Sequence, residues 1–127
     1  MEESARAHGR GHLLLHGHPL AYSRLWWAAE EAKKRLSVEP FVTIREEALV
    51  TVDGKPLHLS REVSRSEYEE LILPILELTL ESVNLALTDA TLSARDLGAV
   101  LLVGGATRTP LVWDLLEKRT KLTPRQD

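Results

Sequence analysis

Residues 101–110 read LLVGGATRTP, and the order of properties along this stretch decides the fold. The apolar run starts two residues earlier, so 99–103 is AVLLV. A continuous apolar run of this kind suits a strand buried on both faces, as in a parallel sheet. Gly104-Gly105 ends it, and Thr109-Pro110 reads as an N-cap followed by proline at the first helical position. Leu111, Val112, Leu115 and Leu116 give the helix that follows its apolar face. Strand, glycine turn and helix start, in that order, put flexible backbone and free N–H groups at the end of a strand. That is where α/β proteins bind phosphates.

Working outward, residues 66–90 read as the longest helix. Tyr68, Leu71, Ile72, Ile75, Leu76, Leu80, Val83 and Leu87 form a broad apolar face, and Ser66 with Glu69 fits a capping box. Pro74 interrupts this helix and predicts a kink. Ser93 is placed to cap a single turn at 94–97. Before the long helix the period changes to that of strands. Phe41–Arg45, Leu49–Val52 and Leu57–Leu59 predict three short antiparallel strands, with Glu46-Glu47 at the first turn and Asp53-Gly54 at the second. Asp-Gly is the stronger signal, because both turn positions of a tight hairpin need φ > 0. Residues 20–37 read as a helix with an apolar stripe of Tyr22, Leu25, Trp26, Ala29, Ala32 and Leu36. Pro19 stands near its start, and Lys33, Lys34 and Arg35 fall in its last turn, where cations suit the helix dipole. The fold class is therefore α+β: two long helices with a small antiparallel sheet, continued by a partial β–α unit.

Composition narrows the function. The chain has 127 residues, which suggests a single domain over 1–127. Sixteen Lys and Arg against 19 Asp and Glu leave a net charge of −3, which argues against a general nucleic-acid binder. No purely apolar run approaches the ~20 residues of a membrane span, so no membrane role is expected. There is no cysteine, which excludes disulfide and thiolate chemistry. The only apolar run in the first 18 residues is Leu13–Leu15, far short of the about 7–15 residues of a secretory h-region. A cytoplasmic location is the expectation. His8, His12 and His16 stand four apart and could line one helical face as metal ligands, but no carboxylate or cysteine completes such a set, and no metal is expected there. Arg24, Arg35, Asp53 and Asp96 have no convergent partner that the sequence can show, and no Ser/His/Asp or Cys/His set suggests a hydrolase.

Two segments, AAEEAKKRLS at 28–37 and LLVGGATRTP at 101–110, together resemble the nucleotide-binding domain of the DnaK-type chaperones, the seventy-kilodalton heat-shock proteins. In that family a helix ending E-x-x-K-x-x-L-S is followed by a small sheet, a long helix, and a strand running into VGGSTR-x-P. SRSEYEELILPILELTLE and LTDATLSARDL resemble the connecting parts, so residues from about 20 to 117 are covered. The resemblance implies an actin-like ATPase domain fragment, the outer and part of the inner subdomain of lobe II. It implies an ATP/ADP site to which this chain supplies the adenosine side. Carried over, Glu30 and Lys33 would hydrogen-bond the ribose hydroxyls, and Lys34 and Arg108 would flank the two faces of the adenine. Ser37 would meet the adenine edge, and Gly104 and Gly105 would let the backbone approach ribose and phosphate. Positions 30, 33, 34 and 37 share a helical face, and a cation over a purine gains stacking and cation–π attraction. Taken without the glycine segment, Glu30, Lys33 and Lys34 would read as an exposed, salt-bridged helix face.

The sequence departs from the family in four places. Lys34 replaces an arginine of some members, Ala106 a serine, Thr109 an aliphatic residue, and Thr91 a glycine just past the long helix. The family's phosphate loops, catalytic lysine, Mg-coordinating aspartates, peptide-binding domain and lid have no counterpart in these residues, and Mg²⁺ would be held only through those parts. The chain by itself is therefore expected to be catalytically inactive and to bind nucleotide weakly. A second expectation is a non-catalytic module gripped by a nucleotide-exchange factor or co-chaperone, and a third is a remnant without activity. Trp27, three residues before Glu30, is expected beside the nucleotide face, whereas Trp26 belongs to the core stripe. The apolar strand at 99–103, without neighbours, is expected to drive homo-oligomerisation.

Overall fold

The computed structural model describes residue 15 and residues 17–126, in two compact units, Met1–Ser64 and Arg65–Asp127. The spaced histidines His8, His12 and His16 and the pair Leu13-Leu14 lie outside the described residues.

In the first unit, helix α1 spans Pro19–Arg35, with proline in its first turn and Lys33, Lys34 and Arg35 in its last. It ends where Leu36 N–H bonds Ala32 O at 2.9 Å. Just beyond, the Arg35 guanidinium grips the Glu39 carboxylate through two bonds of 2.8 Å. The helix is buried along a different line from the one expected. Ala21, Ala32 and Leu36 are buried and Leu25 and Ala28 half-buried, whereas Tyr22 is 54% and Trp26 62% exposed. Positions 21, 25, 28, 32 and 36 repeat at helical spacing as well as the expected set does. The observed line is rich in alanine, which lets the helix lie close to the strand beneath it. The large rings turn outward, and Tyr22 and Trp26 stack on each other with centroids 6.4 Å apart.

Beneath α1 lie two strands, not three. β1 (Phe41–Val52) and β2 (Lys55–Ser64) pair antiparallel. Asp53 (φ 51°) and Gly54 (φ 73°) make the tight turn between them, as the hairpin signal requires. The expected turn at Glu46-Glu47 is instead an irregularity within β1. Pairing steps from Glu46↔Leu59 to Val50↔Leu57, so β1 advances four residues while β2 advances two. An insertion of two preserves the alternation of faces, and Val50 is buried like Val42. The chain does not reverse there, because the polar groups of the bulge find partners outside β1. Ala48 N–H donates to His58 Nδ1 at 3.0 Å, and the carbonyls of Glu47 and Ala48 accept from Arg24 at 2.8 and 3.2 Å.

In the second unit, helix α2 runs over Arg65–Asp89 with Pro74 inside it and no residue fully buried. Ser66 falls within its first turn instead of ahead of it. Over an 18-residue window its mean hydropathy is 1.5, so by length and composition it could cross a membrane, which the search for a purely apolar run did not show. Glu77 and Glu81 stand in that stretch, and a carboxylate at a bilayer centre costs roughly 2.5–3.5 kcal/mol. Its half-buried Leu80 and Asn84 line a groove shared with the next helix, a protein-facing arrangement. α2 ends in a Schellman turn. Thr91 N–H bonds Thr88 O at 2.9 Å, Leu92 N–H bonds Leu87 O at 2.8 Å, and Thr91 sits at φ 55°. The family-glycine position is thus left-handed and occupied by a β-branched residue.

A 3₁₀ turn at Ala94–Asp96 follows, with Ser93 N–H and hydroxyl both donating to the Asp96 carboxylate at 2.8 and 2.6 Å. Strand β3 is only Leu101–Leu102 and pairs in parallel with β4, Arg125–Gln126. Helix α3, Pro110–Thr120, connects them and reaches back to α2 through Arg119 Nε, 3.0 Å from Asn84 Oδ1. The β–α unit is as expected. The double-sided burial of 99–103 is not. Leu102 is 6% exposed, but Leu101 is 66% and Val103 75%. Among the described residues the strand gains one neighbour, β4, so it is not unpaired.

Candidate functional site

Glu30, Lys33, Lys34 and Ser37 belong to the first unit. The helix brings Glu30, Lys33 and Lys34 onto one face by spacing alone, and Ser37, expected on the same helical face, lies in the turn beyond it. Lys33 Nζ lies 2.6 Å from Glu30 Oε2, and Lys34 Nζ lies 2.7 Å from Glu31 Oε1. The hydrogen bond from Lys33 holds the Glu30 carboxyl below the ordinary glutamate range, and the Glu31 carboxylate raises Lys34. Glu30 therefore stands ionised at neutral pH, an acceptor beside a donor. Lys34 is more than half exposed on its side chain, and its ammonium is held by Glu31. Ser37 is half-buried in the turn past the helix, its N–H on Lys34 O at 3.2 Å. Trp27 is 66% exposed and lines an outer recess with Tyr22, Ser23 and Trp26. Trp26 thus belongs to this outer surface and not to the core.

Gly104, Gly105 and Arg108 belong to the second unit, where they form one turn between β3 and α3. Gly104 has φ 99° and ψ 154°, a conformation essentially reserved for glycine. Gly105 differs. Its φ is ordinary for any residue, and a Cβ built on it meets nothing within 4 Å. Among the described residues nothing requires glycine at 105, as nothing does at Gly17 or Gly98, and the space over its Cα is open. The turn continues as a 3₁₀ helix over Gly105–Arg108. Both the backbone N–H and the hydroxyl of Thr107 donate to Gly104 O. Thr109 stands at the N-cap of α3 and is buried, but its side chain makes no capping bond; its carbonyl accepts from Val112 N–H at 3.0 Å. Arg108 is exposed and has no ion-pair partner among the described residues.

Two residues outside the expected site, Trp113 and Arg24, hold these segments in shape, and the convergent partners that the sequence does not show for Arg24 are found in β1. Trp113 Nε1 donates to Thr107 O at 2.7 Å, so the first turn of α3 braces the glycine turn. Arg24 ties α1 to β1 and, besides the two carbonyls, meets the Glu46 carboxylate at 2.6 Å. For Trp113 a signal existed, an aromatic donor just inside the helix that follows the loop. For Arg24 none did, because its partners lie more than twenty residues away.

Residues 9–127 match the family described as Hsp70 protein, a span that takes in both segments of the candidate site. With its small antiparallel sheet, long helices and strand–glycine turn–helix unit, the chain belongs to the Hsp70 family of chaperones, whose nucleotide domains have the actin-like ATPase fold.

Proposed function

We propose that this chain supplies the adenosine side of an ATP/ADP site in an Hsp70 chaperone. The observation that carries the reading is the turn after β3. One glycine is required by its backbone angle, and a Cβ on the next would meet no atom of the described residues, which leaves backbone open to close approach by a ligand. The side chains present suit a nucleoside. The ion-paired Glu30 and Lys33 offer an acceptor and donors side by side, which matches a vicinal diol. Lys34 and Arg108 are cations suited to the faces of a purine, the planar guanidinium better than the ammonium. The Ser37 hydroxyl both donates and accepts at a base edge. Ala106 supplies no hydroxyl, so over 104–106 the turn would contact ligand through backbone alone. Among the described residues no three His, Asp or Glu gather as a metal site, and the Mg²⁺ that accompanies ATP is assigned to no residue here.

These residues bind and orient. None is placed to hold or move a proton at a γ-phosphate, so the chain on its own is proposed to bind adenine nucleotides weakly and not to hydrolyse them. The test is amide chemical-shift mapping with ADP at about 5 mM, a level that reveals even millimolar affinity. Shifts at both 30–37 and 104–108 are expected; shifts at neither, or sub-micromolar affinity by calorimetry, overturn the reading. A second reading, a surface held by an exchange factor or co-chaperone, is favoured by the exposed Tyr22, Trp26 and Trp27. Titration with such a partner that broadens the indole signals without ADP would support it.

A further inference from the structure

Ala48 lies inside β1 with φ 46°, a left-handed angle that a residue with a Cβ adopts at a cost. Its N–H donates to His58 Nδ1 at 3.0 Å, and its carbonyl accepts from Arg24 Nη1 at 3.2 Å. A nitrogen that accepts from an N–H must carry a lone pair. The His58 ring is therefore neutral in this arrangement, with its proton on Nε2. An imidazolium carries N–H at both nitrogens and accepts nothing, so a proton on Nδ1 would face the Ala48 N–H donor to donor. We propose that His58, Ala48 and Arg24 form an acid-released latch on the β1 bulge, closed while His58 is neutral and opened when it takes up a proton.

The charged groups around the latch decide whether another residue could mask it. From α1 comes Arg24, which stays cationic throughout the range in which histidine changes charge. From β1 come Glu46 and Glu47, flanking the bulge. Glu46 is already bonded to Arg24 at 2.6 Å, and Glu47 contributes its carbonyl to the same guanidinium at 2.8 Å. On β2 the residues on the same face as His58 are Pro56 and Ser60, and its sequence neighbours are Leu57 and Leu59, none of them charged. A protonated His58 would thus lose its acceptor role and gain a like charge one peptide unit away in Arg24, whose counter-ion is committed. The left-handed Ala48 then loses one of its two outside partners. The latch lies wholly within the first unit and does not depend on nucleotide binding.

The test is NMR on the full chain, labelled with ¹⁵N and titrated from pH 8 to pH 5. At pH 8 the ring nitrogens of His58 are expected to show the Nε2–H tautomer. As the pH falls, the Ala48 amide is expected to shift with the same midpoint as the His58 ring protons. Its exchange protection, corrected for intrinsic rates, should drop roughly five- to tenfold, the worth of one hydrogen bond. His58→Asn keeps an acceptor oxygen near the position of Nδ1 and does not titrate, so the Ala48 amide should stay protected and flat with pH. His58→Ala should leave it unprotected at both ends. The Nδ1–H tautomer at pH 8, an Ala48 amide indifferent to the titration of His58, or an unchanged pH response in His58→Asn would each overturn the latch.

Discussion

The two segments that bear the candidate site are built on opposite principles. In the first unit, Glu30, Lys33 and Lys34 are exposed or half-exposed side chains on a regular helix, paired with neighbours one turn away. The helix would form with other residues there. In the second unit the candidate element is backbone: a glycine at φ 99°, a 3₁₀ turn, and a tryptophan bracing a carbonyl. Few other sequences would give that turn. A side-chain face can therefore be altered with local consequences, whereas a backbone turn transmits a change at one position to every group it presents.

The largest expected difference between the units is in association. β1 and β2 cover each other's inner edges, while β3 has β4 on one side and leaves Leu101, and Val103 just past the strand, exposed. A short apolar strand whose second edge is unpaired among the described residues invites a second copy. Sedimentation across concentrations is expected to show self-association at ~100 μM that Val103→Lys abolishes, since charge on an edge strand blocks pairing. A wild-type monomer at that concentration, or a dimer untouched by Val103→Lys and broken by Trp26→Ser, would move the interface to the first unit and reverse the comparison.

Next in size is the contrast between adjacent glycines. Gly104→Ala has room for its Cβ but forces an L-residue to φ 99°, and should cost about 1–3 kcal/mol in denaturant unfolding. Gly105→Ala meets no atom and no forbidden angle, and should stay within about 0.5 kcal/mol of wild type. If it nevertheless removes the ADP-induced shifts, the open space over residue 105 belongs to the ligand. Equal destabilisation by both variants would mean that the turn is governed by packing and not by backbone angle.

A smaller effect of opposite sign is expected at Thr91. Its φ of 55° at the end of α2 is the position where glycine closes a Schellman turn without strain. Thr91→Gly should stabilise the chain by about 1 kcal/mol, offset in part by loss of the bond from the Thr91 hydroxyl to Ala90 O. A destabilised variant would show that this side chain has a role the angle does not reveal.

The legible and illegible parts of this chain divide along the same line. The Asp53-Gly54 turn could be read because its requirement, φ > 0 twice in succession, is local to two residues. The long helix and the β–α unit are legible for similar reasons, whereas Thr91 is marked only by the family's glycine and its left-handed angle is a finding of the structure. The third strand was read in error because the bulge at 46–50 is satisfied from Arg24 and His58, which are distant in sequence. Nothing in EEAL itself distinguishes a turn from a bulge whose donors arrive from elsewhere. The phase of α1 was misread because two apolar stripes overlap with equal periodicity, and packing against the sheet chose the one lined with alanine. The site residues were reached through resemblance to the family. Among the described residues the geometry supplies a physical reason for Gly104 and none for Gly105.

The smallest expected effects are electrostatic, and they too differ between units. In the first unit Arg35 holds Glu39, and Lys33 holds Glu30, below the ordinary glutamate value of 4.5. In the second, the hydroxyl and N–H of Ser93 hold Asp96 below 3.8. A carboxyl depressed by folding binds fewer protons in the native state than in the unfolded chain. Its contribution is therefore fully present above the unfolded value and is lost as the pH falls through the depressed one. The window lies below about pH 5 for the two glutamates and somewhat lower for Asp96. Unfolding in denaturant at pH 6 and at successive points down to pH 3 should show stability falling with acid. Glu39→Gln should flatten that fall, and so should Asp96→Asn at its lower end. Salt separates the two units further. The Glu39 contribution is an ion pair and should shrink in about 1 M NaCl, where the screening length is near 3 Å. The Asp96 contribution comes from hydrogen bonds to an uncharged serine and should persist. If salt erased both, the bonds at Ser93 would not be what holds the Asp96 carboxylate ionised. If it erased neither, the Arg35–Glu39 pair would be stabilised by its two-pronged geometry more than by its charges.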